Sequence, residues 1–357
     1  MTKKRIGILT SGGDCAGLNA AIRGAVYSAS NLGWEIVGIR DGSDGLTSRP
    51  LRVQPLTLAD VSTTMLRQGG TILGSTNKGD PFTQTDANGV KLIDLILDGF
   101  RELKLDALIG IGGDGGLAIQ SKIAKMIDLP YVGIPKTMDN DVGITEVSIG
   151  YDTAVAVATE AVDRLQPTAA SHSRVMILEV MGRDAGHVAL AAGIAGGADI
   201  ILIPEIPWRL EAVVAKIREI QATGRNHALV VVSEAIKTAN GEDVKQTFVD
   251  GQKRYGGVGN YVATLLAEAT GAETRVTVLG HVTRGAPPTH MDRQIGLAFG
   301  VYAVDLVAAG KFGRMLAWTN RKVIDVPLDE AVATNQQVDV EGTLVHTARA
   351  LGICVGA

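Results

Sequence analysis

Residues 5–17 read Arg5-Ile6-Gly7-Ile8-Leu9-Thr10-Ser11-Gly12-Gly13-Asp14-Cys15-Ala16-Gly17, an apolar run that ends in a glycine-rich turn. Ile6 to Thr10 has the length and apolar character of a buried strand, and a helical period over Leu18 to Ser30 follows at once. Working outward, similar runs recur at Glu35 to Ile39, Ala107 to Ile111, Tyr131 to Ile134, Val175 to Val180, Ile200 to Ile203, Ala228 to Val232 and Val276 to Leu279. Helical periods fall between them at Ala87 to Leu103, Leu117 to Ile127, Thr153 to Leu165, Leu210 to Thr223 and Asn260 to Ala269. Strand and helix in alternation predict an α/β fold with mostly parallel sheets covered on both faces. Ligands of such sheets bind at the C-terminal ends of the strands, which makes the residues after each strand the ones to read.

Size and composition narrow the choice. The 357 residues have room for about two domains. With 46% hydrophobic and 20% charged residues the chain is neither disordered nor membrane-embedded in character. The longest apolar run, Val188 to Ala198, is too short to span a bilayer, and the N-terminus lacks the pattern of a signal peptide. A net charge of −4 and 4% aromatics argue against nucleic acid as a partner. Cys15 and Cys354 make no disulfide framework, and the six histidines no zinc spacing, so a cytoplasmic location is expected.

Three strand ends carry the chemistry. In the turn Thr10 to Gly17, consecutive glycines let backbone N–H groups approach an anion ahead of a helix N-terminus, although a plain tight turn reads the same way. Gly110-Ile111-Gly112-Gly113-Asp114-Gly115-Gly116 repeats the device and adds a carboxylate. It also satisfies the dinucleotide fingerprint G-x-G-x-x-G, but the acid expected on the next strand end is replaced by Pro135-Lys136-Thr137. The third, Pro135-Lys136-Thr137-Met138-Asp139-Asn140-Asp141, crowds a lysine, a hydroxyl and two carboxylates together. Asp139 can take a proton from a hydroxyl, Asp114 can hold Mg²⁺ and Lys136 can neutralise a phosphoryl group, which are the parts of phosphoryl transfer. An Asx turn capping the next helix is the alternative. Arg174, Arg183, Arg275 and Arg284 stand at strand edges with His172, His187, Glu234 and His281, a set suited to a phosphate monoester and sugar hydroxyls or, taken singly, to solvated faces. The polar, glycine-rich Lys237 to Gly259 reads as a surface excursion.

Five strings, in order, resemble the 6-phosphofructokinase family: Leu9 to Asp14, Ile111 to Gly115, Thr137 to Asp141, Glu179 to Arg183 and Val278 to Gly285. The resemblance runs from about Arg5 to the helix after Asp292. It implies Mg²⁺-dependent transfer of the ATP γ-phosphoryl group to the C1 hydroxyl of fructose 6-phosphate. Asp139 would be the base, with Thr137 beside it. Gly13 and the turn Asp114, Gly115, Gly116, Leu117 would take the donor phosphates, with Asp114 on the metal. Arg183 would contact the transferred phosphoryl group and the sugar, Met181 and Gly182 would line that pocket, and Glu234 would bind sugar hydroxyls. His281 and Arg284 would hold the 6-phosphate. Arg174 and Arg275 would enter from a neighbouring subunit, which implies a homotetramer or homodimer with a shared site.

The fold implied is two doubly wound domains facing across a cleft, with residues 1–150 and about 284–320 binding the donor and about 151–283 and 321–357 binding the sugar phosphate. Departures from the family pattern bear on the donor. Asn77 and Lys78 stand near the place of an arginine that bridges donor and acceptor phosphates in the common bacterial enzymes, so Lys78 is the candidate replacement. Lys136 resembles the pyrophosphate-dependent branch, whereas Gly115 stands where that branch carries aspartate. Glycine leaves a path for the α-phosphate, which favours ATP, with pyrophosphate as the alternative. In the family's effector site, Arg23, Arg225 and His227 match, but Tyr27, Gln166 and Thr223 replace further cations. A lipid or NAD kinase shares the Gly-Gly-Asp-Gly turn but not the arginine set, and a sugar-phosphate sensor would not need Asp139.

Overall fold

The computed structural model describes residues 3–77, 79–247 and 253–356, so Lys78 lies outside the described residues. Two compact units are each built from two stretches of chain: Met1–Thr153 with Arg284–Asn335, and Ala154–Thr283 with Gln336–Ala357.

The first unit holds β1 (Arg5–Thr10), β2 (Glu35–Ile39), β3 (Val53–Leu56), β4 (Ala107–Gly112), β5 (Tyr131–Pro135), β12 (Arg314–Thr319) and β13 (Lys322–Pro327) in one sheet, ordered β13-β12-β5-β4-β1-β2-β3. The five inner strands are parallel and the two edge strands antiparallel. Both faces are covered. Helices α1 (Leu18–Asn31) and α9 (His290–Ala308) lie with a core of Ile6, Ile8, Ile22, Ile109 and Phe299 on one face. On the other, α3 (Leu92–Leu103), α4 (Asp114–Met126) and α10 (Leu328–Ala333) lie with Leu9, Leu108, Ile96 and Met315. A short helix, α2 (Asp44–Thr47), precedes β3. The backbones of α1 and α9 nearly touch, since a Cβ at Gly24 or Gly300 would collide with a carbonyl of the facing helix. The hairpin β12–β13 keeps residues 321–335 with this unit, so the second unit resumes at Gln336 and not at Arg321.

In the second unit, β6 (Val175–Val180), β7 (Ile200–Leu202), β8 (Ala228–Ser233) and β11 (Thr274–Val278) form a parallel sheet ordered β11-β6-β8-β7. Around it stand α5 (Tyr151–His172), α6 (His187–Ala195), α7 (Leu210–Ala222), α8 (Val258–Thr270) and α11 (Thr343–Ala350). Ile177, Val230, Ile217 and Leu266 fill the core beneath α7 and α8.

One sequence expectation is corrected and two are extended. The helix expected over Ala87 to Leu103 starts at Leu92, because the Asp86 carboxylate accepts the N–H groups of Asn88 and Val90 and holds a turn there. Strands β3, β12 and β13 have no counterpart among the runs expected from sequence; β3 has only four residues, and β3 and β13 form the antiparallel edges. Within Lys237 to Gly259, strands β9 (Lys245–Thr247) and β10 (Lys253–Tyr255) pair as an antiparallel hairpin, with residues 248–252 outside the described set.

Candidate active site

The sheet order explains why the three strand ends meet. After β1 the chain crosses to β2 on one side and later returns to β4 on the other, which opens a crevice at the C-terminal ends of β1 and β4. The turns after β1, β4 and β5 are therefore neighbours. Ser11 N–H donates to the Ile111 carbonyl, Lys136 N–H donates to the Gly112 carbonyl, and both distances are 2.9 Å. Residues 74–77 close the first turn: Gly12 N–H reaches the Thr76 carbonyl at 2.9 Å and the Ser75 hydroxyl reaches the Gly12 carbonyl at 2.6 Å. Exposed Asn77 follows directly.

The two glycine turns face each other across a buried cation. Lys136 is buried, and its ammonium would lie 3.1 Å from a Cβ placed on Gly12 and 4.0 Å from one on Gly113. Burial pulls its pKa down, and the nearby Cys15, Asp139 and Asp141 work against that. The Arg284 guanidinium lies over Gly13, leaving no room for a side chain there, and its buried Nε has no partner. Asp114 is the first residue of α4, where the helix N-terminus favours anionic ligands. Gly115 faces open space, with no atom within 4 Å of the point a Cβ would occupy, whereas a Cβ at Gly116 would meet the Ser11 hydroxyl at 3.1 Å. Leu117 is fully buried, so its contribution to a donor site is limited to backbone.

Asp139 is set for proton transfer. Its N–H donates to the Thr137 hydroxyl at 3.1 Å, that hydroxyl is 3.3 Å from Asp139 Oδ2, and the buried Oδ1 has no partner. Desolvation, then the like charge of Asp141, pushes the carboxyl up to about 6, against the pull of Arg284 and Lys136. The loop holding it is tied at several points. Asn140 Oδ1 accepts Ser148 N–H at 2.9 Å, and the Ser148 hydroxyl donates to the Thr137 carbonyl at 2.8 Å. Behind them, fully buried Asp292 accepts the N–H groups of Gly150 at 2.7 Å and Thr153 at 2.8 Å, next to Ile149, whose carbonyl takes Thr137 N–H. Sequence reading missed Asn140, Ser148 and Asp292 as site supports. Asp292 lies 142 residues from Gly150, and its own neighbours suggest only a helix cap.

The second unit gathers another set at the C-terminal edge of its sheet: Met181, Gly182 and Arg183 after β6, Glu234 after β8 and His281 in the turn after β11. Glu234 Oε1 accepts Gly182 N–H at 3.3 Å and Arg183 N–H at 3.0 Å. Arg183 has φ 52°, a left-handed conformation costly for a non-glycine residue. Arg174 and Arg275 are not in this set. Arg174 precedes β6 and Arg275 pairs with Met176 near its start, so both stand at the opposite end of the sheet, where both approach the Glu273 carboxylate. Six-residue β6 spans about 20 Å at roughly 3.3 Å per residue, which separates them from Arg183 of the same chain. His187 Nε2 lies 3.1 Å from the Gln336 carbonyl, a local tie at the start of α6.

Among the described residues no cluster of three or more His, Cys, Asp or Glu side chains is arranged for a metal, and no helix is long and apolar enough to cross a membrane. Mg²⁺ needs no such cage when substrate phosphates and waters supply most of its ligands. An oxygen donor at Asp114, with open space beside it at Gly115, fits that cation.

Comparison with known proteins accords with this arrangement. The chain is 59% identical over 356 residues to ATP-dependent 6-phosphofructokinase 1 of Synechocystis sp., covering 99% of this chain and 98% of that one. It is 56% identical over 355 residues to ATP-dependent 6-phosphofructokinase 1 of Nostoc sp., covering 99% of each. Among solved structures, phosphofructokinase from Saccharomyces cerevisiae matches with TM-score 0.80 and 29% identity over 93% of this chain; the match spans 45% of that much longer chain. A pyrophosphate-dependent phosphofructokinase from Nitrosospira multiformis, 20% identical, shares the fold with TM-score 0.81 over 100% of this chain and 93% of its own. The phosphofructokinase family model matches residues 5–307. With that match spanning both glycine turns, the Asp139 loop and the arginine-bearing strand ends, the chain belongs to the phosphofructokinase family.

Proposed function

We propose that the chain is an ATP-dependent 6-phosphofructokinase, transferring the γ-phosphoryl group of ATP to the C1 hydroxyl of fructose 6-phosphate to give fructose 1,6-bisphosphate and ADP. The observation that carries this reading is the unpartnered, buried Oδ1 of Asp139, held beside Thr137 at a strand end that neighbours two glycine turns. Asp139 takes the proton of the C1 hydroxyl as the oxygen attacks phosphorus, and Thr137 keeps the carboxylate aimed. Lys136 offsets the charge that develops on the transferred group, and Arg183 contacts that group. Gly13 and residues 114–117 hold the donor phosphates, with Asn77 at the rim. Asp114 would hold Mg²⁺, which when bound neutralises donor phosphate charge.

Sugar recognition falls to Met181, Gly182, Arg183, Glu234 and His281, with Arg284 also reaching the 6-phosphate. Glu234 holds the Arg183 turn through Oε1, which fixes its carboxylate at the strand end where sugar hydroxyls would be bound. Arg174 and Arg275, at the far sheet edge, act on the site of a neighbouring copy, so the enzyme self-associates. By this reading the first unit binds the donor and the second the sugar phosphate.

Lys136 is the observation favouring pyrophosphate as donor. An ammonium between the glycine turns serves either donor, however, because both develop similar charge at the transferred group. The open space at Gly115 is what distinguishes them, and it admits ATP. An aldolase-coupled assay with fructose 6-phosphate, Mg²⁺ and either ATP or pyrophosphate tests the proposal. Turnover is expected with ATP and little with pyrophosphate; robust turnover by pyrophosphate in nucleotide-free buffer would reverse the donor assignment.

A further inference from the structure

The hairpin within Lys237 to Gly259 has no part in the chemistry above, yet it is tied to the sugar-binding edge of the second unit at two points. Glu179, buried near the end of β6, accepts the N–H groups of Gly257 at 3.1 Å and Gly259 at 2.7 Å. This bond pair fixes where the hairpin stops and α8 begins. The second tie is closer to the chemistry. The Tyr255 hydroxyl, on the last residue of β10, donates to Asp184 Oδ1 at 2.7 Å. Asp184 directly follows Arg183, and its carboxylate lies 3.8 Å from Arg183 Nε.

Arg183 needs such support. Its left-handed backbone persists only where neighbours over-determine it. Glu234 holds the backbone N–H from one side, while Asp184 is placed to draw the guanidinium from the other. Asp184 is itself half-exposed, so its aim depends on what fixes it. Tyr255 is a suitable anchor: burial and the bond to Asp184 push its phenol well above the ordinary range, which keeps it a donor. Lys245, on the partner strand, stacks 4.5 Å over the Tyr255 ring and pairs with Asp243 at 2.7 Å, fixing the ring in turn.

We propose that Tyr255 is a positioning residue of the sugar-phosphate site: its hydroxyl fixes Asp184, Asp184 aims the Arg183 guanidinium, and β10 is thereby an element of the substrate site. The assignment rests on the phosphofructokinase reading given above. Tyr255→Phe removes one oxygen and little else. In the full-length enzyme it is expected to raise the fructose 6-phosphate KM about fivefold to tenfold, because a hydrogen bond to a charged group is lost from a binding residue's support. ATP affinity in the absence of sugar should change less than about twofold, and Tm less than about 2 °C, shifts that would be larger if the residue only held the fold together. Asp184→Ala should raise the same KM by a similar factor, and adding Tyr255→Phe to it should do nothing more, since both act through one link. Asp184→Ala probes that link from its other end, so the assignment stays testable if one variant folds poorly. An unchanged KM in Tyr255→Phe, or additive effects in the double variant, overturns the assignment while leaving the enzyme's function in place. A wild type that turns over no fructose 6-phosphate with any donor overturns the functional reading, and the assignment with it.

Discussion

Desolvation and Asp141 together hold the Asp139 carboxyl at about 6, close to where a general base for an alcohol is useful. The base acts ionised, so kcat should fall as pH drops through about 6, and a pH profile under saturating substrates should show that acid limb. Asp139→Asn should lower kcat at least about a hundredfold with little change in the fructose 6-phosphate KM, read in the coupled assay. The same raised pKa has a stability sign. A carboxyl that ionises at about 6 when folded and near 3.8 when unfolded stabilises the fold fully only below the unfolded value, and that contribution is lost as pH rises through 6. Asp139→Asn should therefore be more stable than wild type at neutral pH by roughly 1–3 kcal/mol in urea unfolding, and no more stable at pH 4. Gly115→Asp places a carboxylate in the open space beside the donor phosphates and should cut ATP-dependent kcat/KM more than about a hundredfold. The places of Asp139 and Gly115 just after neighbouring strands were legible in sequence because each sits in a short string that follows an apolar run. The split between Arg174 and Arg183 was legible only through the family resemblance, because an arginine beside an apolar run looks alike at either end of a strand.

At the level of elements, the N-terminus of α5 is held by a residue of α9. Asp292 accepts from Gly150, from Thr153 N–H and, at 2.5 Å, from the Thr153 hydroxyl. Asp292→Ala leaves those buried donors unpaired and should cost about 2–4 kcal/mol, measured by urea unfolding at pH 7. Thr153→Ser keeps the hydroxyl and should cost less than about 1 kcal/mol, while Thr153→Val should cost more than Thr153→Ser. Parallel strands and their crossover helices were readable from periodicity alone, since both faces of the inner strands are apolar. The edge strands β13 and β3 were not, because exposed edges carry polar residues that dilute the pattern, and inner β12 has only the short buried run Met315-Leu316-Ala317. Lys237 to Gly259 is the surface excursion its polarity signals, but its ties through Tyr255, Gly257 and Gly259 were not legible because they depend on partners some 70 to 80 residues away.

Regulation and assembly belong to the whole molecule. Arg23 donates to the Val61 carbonyl and stacks 4.4 Å over the Tyr27 ring. Arg225 is paired with Asp199, whose other oxygen accepts Leu229 N–H at 2.9 Å. Arg23 and Arg225, which match the effector position of the resembled family, each already have a partner. Millimolar phosphoenolpyruvate should move fructose 6-phosphate half-saturation less than about threefold, given the loss of several charge-assisted contacts. Strong inhibition that disappears in Arg23→Ala would contradict this. The close packing of α1 against α9 also sets an order of events during synthesis. The ribosome releases α1 among the first residues and α9 only after the entire middle stretch Ala154–Thr283. At about 5–20 residues per second, the apolar face of α1 waits on the order of ten seconds or more for its cover. Strand β12, which completes the sheet beside β5, emerges later still. A nascent chain stalled at Thr283 should therefore remain sensitive to protease around α1, and the newborn enzyme is most exposed to chaperones and to aggregation during that interval.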